Sequence, residues 1–204
     1  MSETVKKPSS PIGLRDVVWC VVTEDTAPVG ETAGKYETGE VKTLIGAIDA
    51  EFSNSNNDPD VQYFDDQEGD VLYPDPELSM TLELADLPPE VAAEMLGATV
   101  DQNGVTVNRA GDKPPYIALG FKSRKGNGAD RYLWFYKARC SVPSESYHTK
   151  EGEDITRQTS KVEITVIKRN MDATWRTYVD SDTEKFQTAK GTFFDKPYEP
   201  VMSA

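Results

Sequence analysis

Six acids crowd residues 58–70 of the chain. Asp58, Asp60, Asp65, Asp66, Glu68 and Asp70 all lie within residues 53–76, SNSNNDPDVQYFDDQEGDVLYPDP. Alternating carboxylates are the chemistry of a calcium loop, which needs oxygen ligands at alternate positions and a glycine at the sixth. Counted from Asp65, Gly69 is fifth, so the spacing fails. The stretch reads instead as a solvated acidic surface, or one that faces another polyanion, with cation binding left open. The single histidine, His148, could serve a serine–histidine–aspartate site. No GxSxG nucleophile elbow accompanies it, and a lone loop histidine reads as a surface residue. The glycine-rich run 123–130, SRKGNGAD, lacks the GxxxxGKS/T pattern of a phosphate loop and reads as a hairpin turn. Cys20 and Cys140 sit inside strand-like runs and read as free buried thiols. Trp19, Trp134 and Trp175 could stack on sugars beside paired carboxylates, but no spacing singles out a pair, and strand tryptophans default to core. No catalytic, cofactor-binding or metal-ligating residue is assigned, and the chain does not read as an enzyme.

The elements that carry these residues are mostly strands. In 78–84, Leu78, Met80, Leu82 and Leu84 alternate with Ser79, Thr81 and Glu83, which puts four large apolar groups on one strand face. Pro88 and Pro89 then stop the strand and open a helix, since a proline at the first helical position loses only an orphan N–H. Val91, Ala92, Met95 and Leu96 share its apolar face, Gly97 supplies the left-handed stop, and the helix is expected to pack on the sheet around 78–84. Residues 17–22 predict a strand buried on both faces. Residues 23–40 predict a long extended loop, and Val41–Phe52 predict one returning strand. Asn103-Gly104 predicts a hairpin turn. Strands are expected over 116–121, 131–140, 161–168 and 174–179. Tyr63, Phe64, Leu72 and Tyr73 are expected to pin the acidic stretch to the body, and Phe193, Phe194 and Tyr198 to tack down the tail. The reading is mostly β, a β-sandwich or barrel-like fold with one short flanking helix and a long early loop or hairpin arm. It places a flexible N-terminal arm at 1–15 and a single domain at 16–204.

The net charge is −13, and its distribution carries the information. Between Thr43 and Asn108 there are 15 acids and no Lys or Arg. From Arg109 to Arg169 there are 13 basic and 7 acidic residues, a net of +6. Such a chain is either a dipolar monomer or a subunit whose basic surface meets the acidic surface of the next copy, a head-to-tail contact that generates rings or filaments. The candidate basic interface residues are Lys122, Arg124, Lys125, Arg131, Lys137 and Arg139. A basic footprint for gripping nucleic acid from outside is lacking. No run approaches the ~20 apolar residues of a membrane span, and MSETVKKPSSPIGL has no signal-peptide core. The expected compartment is cytoplasm-like.

Four stretches resemble the major tail protein, or tail tube protein, of long-tailed bacteriophages with non-contractile tails. They are IGAIDAEFSNSNNDPDVQYFDDQ at 45–67, LELADLPPEVAAEMLGA at 82–98, PPYIALGFKS followed by RYLWFYKARC within 114–140, and EDITRQTSKVE at 153–163. The resemblance rests on order and texture, since none is a catalytic signature. It implies a tail-tube β-sandwich flanked by a helix, without the C-terminal immunoglobulin-like domain of some relatives. It implies a structural virion protein whose hexameric rings stack into the conduit for genome ejection, with a tape measure protein inside and tail-tip and terminator proteins at the ends. DNA would pass without specific binding. Asp58, Asp60, Asp65, Asp66, Glu68 and Asp70 become candidate lumen residues. Glu24, Asp25, Glu31, Lys35, Tyr36 and Glu37 become a candidate ring-stacking arm. The implied location is the virion tail, with assembly in the host cytoplasm. Another β-rich virion component, such as a tail terminator or decoration protein, and a polysaccharide-binding module are the competing readings.

Overall fold

In the computed structural model, residues 8–55, 58–64, 67–72, 77–145, 147, 149 and 158–201 are described, Glu68 by its backbone alone. The early strands are β1 (Pro11–Thr26), β2 (Lys35–Thr38), β3 (Lys42–Leu44) and β4 (Ala47–Ser55). They are followed by β5 (Asp60–Phe64), β6 (Gln67–Leu72) and β7 (Glu77–Leu84). The helix α1 (Pro89–Leu96) comes next, then β8 (Thr99–Val100) and β9 (Thr106–Val107). The long strands β10 (Ile117–Lys125), β11 (Asp130–Cys140) and β12 (Ser160–Ile167) lead to β13 (Arg176–Asp180). A single 3₁₀ turn, Glu184–Phe186, opens the tail. The class is mostly β with antiparallel pairing and one short helix, in agreement with the β-sandwich reading.

The chain divides into two units, Met1–Ala47 with Tyr116–Lys137 and Lys168–Ala204, and Ile48–Pro115 with Ala138–Ile167. In the first unit β1 pairs β10, with Val18 opposite Gly120, Trp19 opposite Leu119 and Cys20 opposite Ala118. β2 and β3 pair β1, and β13 pairs β11 from Arg131–Asp180 to Phe135–Arg176. Both faces of β1 and β11 are covered, as the unbroken apolar runs predict. Val18, Cys20, Ala118, Tyr132 and Trp134 form one buried layer with Phe186 and Phe193, while Val17, Trp19, Leu119, Leu133 and Phe135 are buried on the alternate positions. Gly120 makes room in this layer. A Cβ there would lie 2.9 Å from the Trp134 ring and 3.0 Å from Phe194. The tail is held as expected, with Phe193 buried and Phe194 and Tyr198 packed against the same layer.

In the second unit β12 pairs β7, bringing Val162 opposite Leu82, Ile164 opposite Met80 and Val166 opposite Leu78. All six side chains are buried, so the period-two pattern of each strand fills one interior. Pro88 stays extended (ψ 136°) ahead of α1, and Gly97 takes the left-handed conformation (φ 71°) that ends it. Gly97 is also needed for space, since a Cβ would stand 2.3 Å from the Lys113 carbonyl oxygen. The helix neighbours β8 and β9, and the Thr106 hydroxyl donates to the Pro89 carbonyl at 3.3 Å. Its buried residues are Met95 and Ala93, while Val91, Ala92 and Leu96 are only half-buried, a rotation of the expected apolar face. The Asn103-Gly104 turn forms, with the Asp101 carboxylate accepting the backbone N–H groups of Asn103 and Val105.

Several boundaries differ from expectation. β1 begins at Pro11, inside the predicted arm, because 11–15 pair with the far end of β10. Residues 23–40 are a hairpin and not an extended loop, since β1 continues to Thr26 and β2 returns along it. Gly46 (φ 93°) turns the chain and splits the expected 41–52 strand into β3 and β4. The acidic stretch contains its own hairpin, β5 with β6. Its large apolar residues do not pin it down: Tyr63 is 64% exposed, Phe64 58% and Leu72 54%. Two strands alone leave apolar side chains in solvent, and Phe64 lies over Gly69. Tyr73, His148 and residues 1–7 lie outside the described residues.

Candidate assembly surfaces

The acidic surface is built on strand positions that the second unit leaves in solvent. Asp49 and Glu51 share one face of the edge strand β4 and are exposed. Asp58, Asp60 and Asp70 are exposed on and beside the β5–β6 hairpin, with Gln62 opposite Asp70. Glu68 stands on β6, its side chain outside the described residues, as are Asp65 and Asp66 altogether. Among the described residues no group of three or more His, Cys, Asp or Glu side chains could hold a metal ion.

The candidate arm residues form the β1–β2 hairpin. Lys35 bridges Glu24 at 2.6 Å and Glu37 at 3.0 Å, all in solvent, and Glu31 is exposed in the turn. Two of the six turn inward. Tyr36 donates its hydroxyl to the Tyr136 carbonyl and meets the Tyr136 ring edge-on at 5.8 Å. Asp25 is almost fully covered, bonded to the Lys137 ammonium at 2.5 Å and accepting the Asn170 and Met171 backbone N–H groups.

The basic candidates are mostly engaged by carboxylates of their own unit. Lys122 binds Asp16 at 2.7 Å and lies over the Tyr132 and Phe194 rings. Arg124 meets Asp130 at 3.3 Å, and Arg15 reaches the same carboxylate at 2.5 Å. Lys125 and Arg131 share Asp180 at 2.6 and 2.7 Å. Lys137 holds Asp25, and Arg139 is exposed near the end of β11. The +6 segment is thus neutralised in large part by Asp16, Asp25 and Asp180, which come from outside it.

Sequence reasoning missed the strongest ionic cluster. Arg169 is 1% exposed, with its guanidinium on both Asp172 oxygens at 2.7 Å and on Glu199 at 2.8 and 3.0 Å. Its charge also lies 4.3 Å from the Tyr136 ring centroid and 4.9 Å from that of Tyr36. No local signal marks it, because Glu199 is far along the chain. The alternation Trp175-Arg176-Thr177-Tyr178 did carry a signal: Arg176 and Tyr178 must share a strand face.

Two carboxylates, the most depressed of the first unit, dominate its acid dependence. The hydrogen bond from Arg131, helped by Lys125, holds Asp180 down at about 2, and Arg169 does the same for Asp172, also at about 2. A carboxyl depressed by folding contributes its full stability above its unfolded value of ~3.9 and loses it as pH falls through the folded value. The thermal midpoint should therefore be flat above about pH 5 and fall between about pH 4 and 2. Each group contributes on the order of 1 kcal/mol after discounting for solvent screening. Thermal unfolding of Asp180→Asn against pH should show a lower plateau and a shallower acid slope. An unchanged slope would remove Asp180 from the account.

The comparisons with known proteins point one way. No curated protein matches the chain. The family model described as phage tail tube protein matches residues 13–194, from early β1 to the Phe193–Phe194 clasp of the tail. With nearly the whole fold inside that match, the chain belongs to the phage tail tube protein family.

Proposed function

We propose that this chain polymerises as hexameric rings stacked head to tail into the tube of a long non-contractile tail, the conduit through which the genome is ejected. Membership of the family supports a structural, self-assembling protein of the virion tail. The observation that carries the finer reading is the acid-only block. Its residues Asp49, Glu51, Asp58, Asp60 and Asp70 stand in solvent on strands or, for Asp58, just ahead of one, and no Lys or Arg occurs between Thr43 and Asn108 to compensate them. Such a surface repels phosphates within a Debye length of about 8 Å, so a duplex slides past without the counterion release that makes basic surfaces bind. We assign this surface to the lumen, with Asp65, Asp66 and Glu68 continuing it. A tape measure protein occupies the tube during assembly, and tail-tip and terminator proteins close its ends. The exposed turn of the β1–β2 hairpin, with Glu31, is the contact to the adjacent ring.

Negative-stain electron microscopy of concentrated protein, beside sedimentation, tests the assembly. Six-fold rings or hollow tubes are expected, and persistent monomers at high concentration would overturn it. The lumen assignment is tested by Asp58→Lys, Asp60→Lys and Asp70→Lys together in the virion. Tails should still form but eject DNA slowly and incompletely. Unchanged ejection would place these acids elsewhere.

A further inference from the structure

We infer that the 169–174 turn is a clamp that aims the β1–β2 hairpin, with buried Arg169 as its positioning residue and Glu199 of the tail as its brace. The inference rests on the reading of that hairpin as the contact to the adjacent ring. Residues 27–33, beyond the paired strands, are all exposed, Val29 by 76%. The tip is closed by a pair of hydrogen bonds between Val29 and Thr32 at 3.0 and 3.1 Å. A two-stranded ribbon is marginal on its own, so its direction is set by what holds its base. That base is gripped on both strands by one turn. On β1, the Asp25 carboxylate accepts the Asn170 and Met171 backbone N–H groups, and the Asn170 side-chain amide donates to the Asp25 carbonyl at 3.0 Å. On the returning side, a Cβ at Gly34 would stand 3.0 Å from Met171 Cγ and 2.8 Å from the Thr26 carbonyl oxygen, so the turn lies hard against the hairpin. The Tyr36 ring of β2 covers the Arg169 guanidinium at 4.9 Å.

The turn owes its shape to Arg169. Its backbone N–H donates to the Thr174 carbonyl and its own carbonyl accepts the Ala173 N–H, both at 3.0 Å, with Ala173 in the left-handed region (φ 59°). Its guanidinium binds Asp172 inside the turn and both Glu199 oxygens, 30 residues away. Bidentate pairing fixes the plane of a guanidinium as well as its distance, which a point charge does not. The brace is anchored in turn, since the Tyr198 carbonyl accepts the Tyr136 hydroxyl of β11. A groove of about 300 Å³ lies between residues 36–39 and Lys196 and Pro197 of the tail, and the Arg169 guanidinium joins the two segments through Tyr36 and Glu199. With Glu199 neutralised, Arg169 keeps a carboxylate from its own turn only, and the hairpin loses its tie to the tail.

Hydrogen exchange of the unassembled protein tests the clamp, and electron microscopy of concentrated protein tests its use. Circular dichroism confirms the fold of each variant. Glu199→Gln should speed exchange of the Asn170 and Met171 amides and of those in 24–26 and 35–37 at least tenfold, while β10 and β11 keep their protection. The same variant should give single rings or short stacks where the wild-type protein gives tubes. Phe121→Leu, a core change on β10 outside the clamp, is the control for general stability. It should lower the thermal midpoint yet leave hairpin protection and tube formation unchanged. Unchanged hairpin protection in Glu199→Gln would overturn the clamp. Lost protection with tubes unaffected, or tubes lost equally in Phe121→Leu, would overturn its role in aiming the contact. A wild-type protein that forms no tubes would remove the tail-tube reading and leave the clamp to be decided by exchange alone.

Discussion

Asp25→Ala is expected to lower the unfolding free energy by about 3–5 kcal/mol, because it strands a buried charge. The Asp25 and Lys137 side chains are only 5% and 7% exposed, and their oxygen and nitrogen are 2.5 Å apart. Removing the carboxylate leaves the ammonium over the Tyr116 ring at 4.7 Å, with no counter-charge from Asp25. It also removes the acceptor of the Asn170 N–H at 2.7 Å and the Met171 N–H at 3.1 Å, which tie the 169–172 turn to β1. Removing both charges is a different change. Asp25→Ala with Lys137→Met should recover much of the loss, since no unpaired ion remains and the methionine refills the volume. Urea unfolding of the four proteins in the cycle measures this coupling directly. A single-variant loss under about 1 kcal/mol would mean that water solvates Lys137 and that the pair behaves as a surface one.

Trp134→Ala is the other large effect, expected at about 3–5 kcal/mol from lost burial and the cavity left behind. The indole is fully buried, lies on Gly120, packs on Phe194 at 5.6 Å and donates its N–H to the Phe193 carbonyl at 2.8 Å. It therefore clasps the tail as well as filling the layer. Limited proteolysis should cut the alanine variant within 187–201 while β10 and β11 survive. Trp134→Phe keeps most of the ring and loses only the donor, so it should cost about 1–2 kcal/mol, nearer the value of one hydrogen bond. Equal losses for the two variants would mean that the hydrogen bond, and not packing, holds the tail.

What could be read in the sequence was local. The alternation over 78–84, the Pro88-Pro89 entry and Gly97 exit of α1, and the Asn103-Gly104 turn each depend on neighbours within a few residues, and each formed. The aromatic tail was legible because Phe193, Phe194 and Tyr198 have few other uses in so polar a context. The hairpin β5–β6 was not, because acids interrupt its strands and its aromatics face water. The basic segment misled for a different reason. Charge counted along the chain ignores partners from afar, and Asp25 lies 112 residues from Lys137. Arg169 was hidden by the same distance, since only the fold brings Glu199 to it. Of the candidate surfaces, composition revealed the acidic block, but the Arg131–Tyr178 contact needed the register of β13 on β11.

The two thiols bear on how such a particle ages. Burial pushes Cys20 up to about 11 and Cys140 up to about 12. At neutral pH only about one molecule in ten thousand or fewer carries the reactive thiolate at either site. A tail released from its host meets dissolved oxygen and peroxides with no reductase to repair it. Sulfenic acids and stray intersubunit disulfides need an accessible thiolate, so this chain gives them almost nowhere to start. Oxidative ageing of a tube made from it should begin at exposed tyrosines such as Tyr63, Tyr147 and Tyr178, not at sulfur bridges, and reducing agents should neither preserve nor dissolve it.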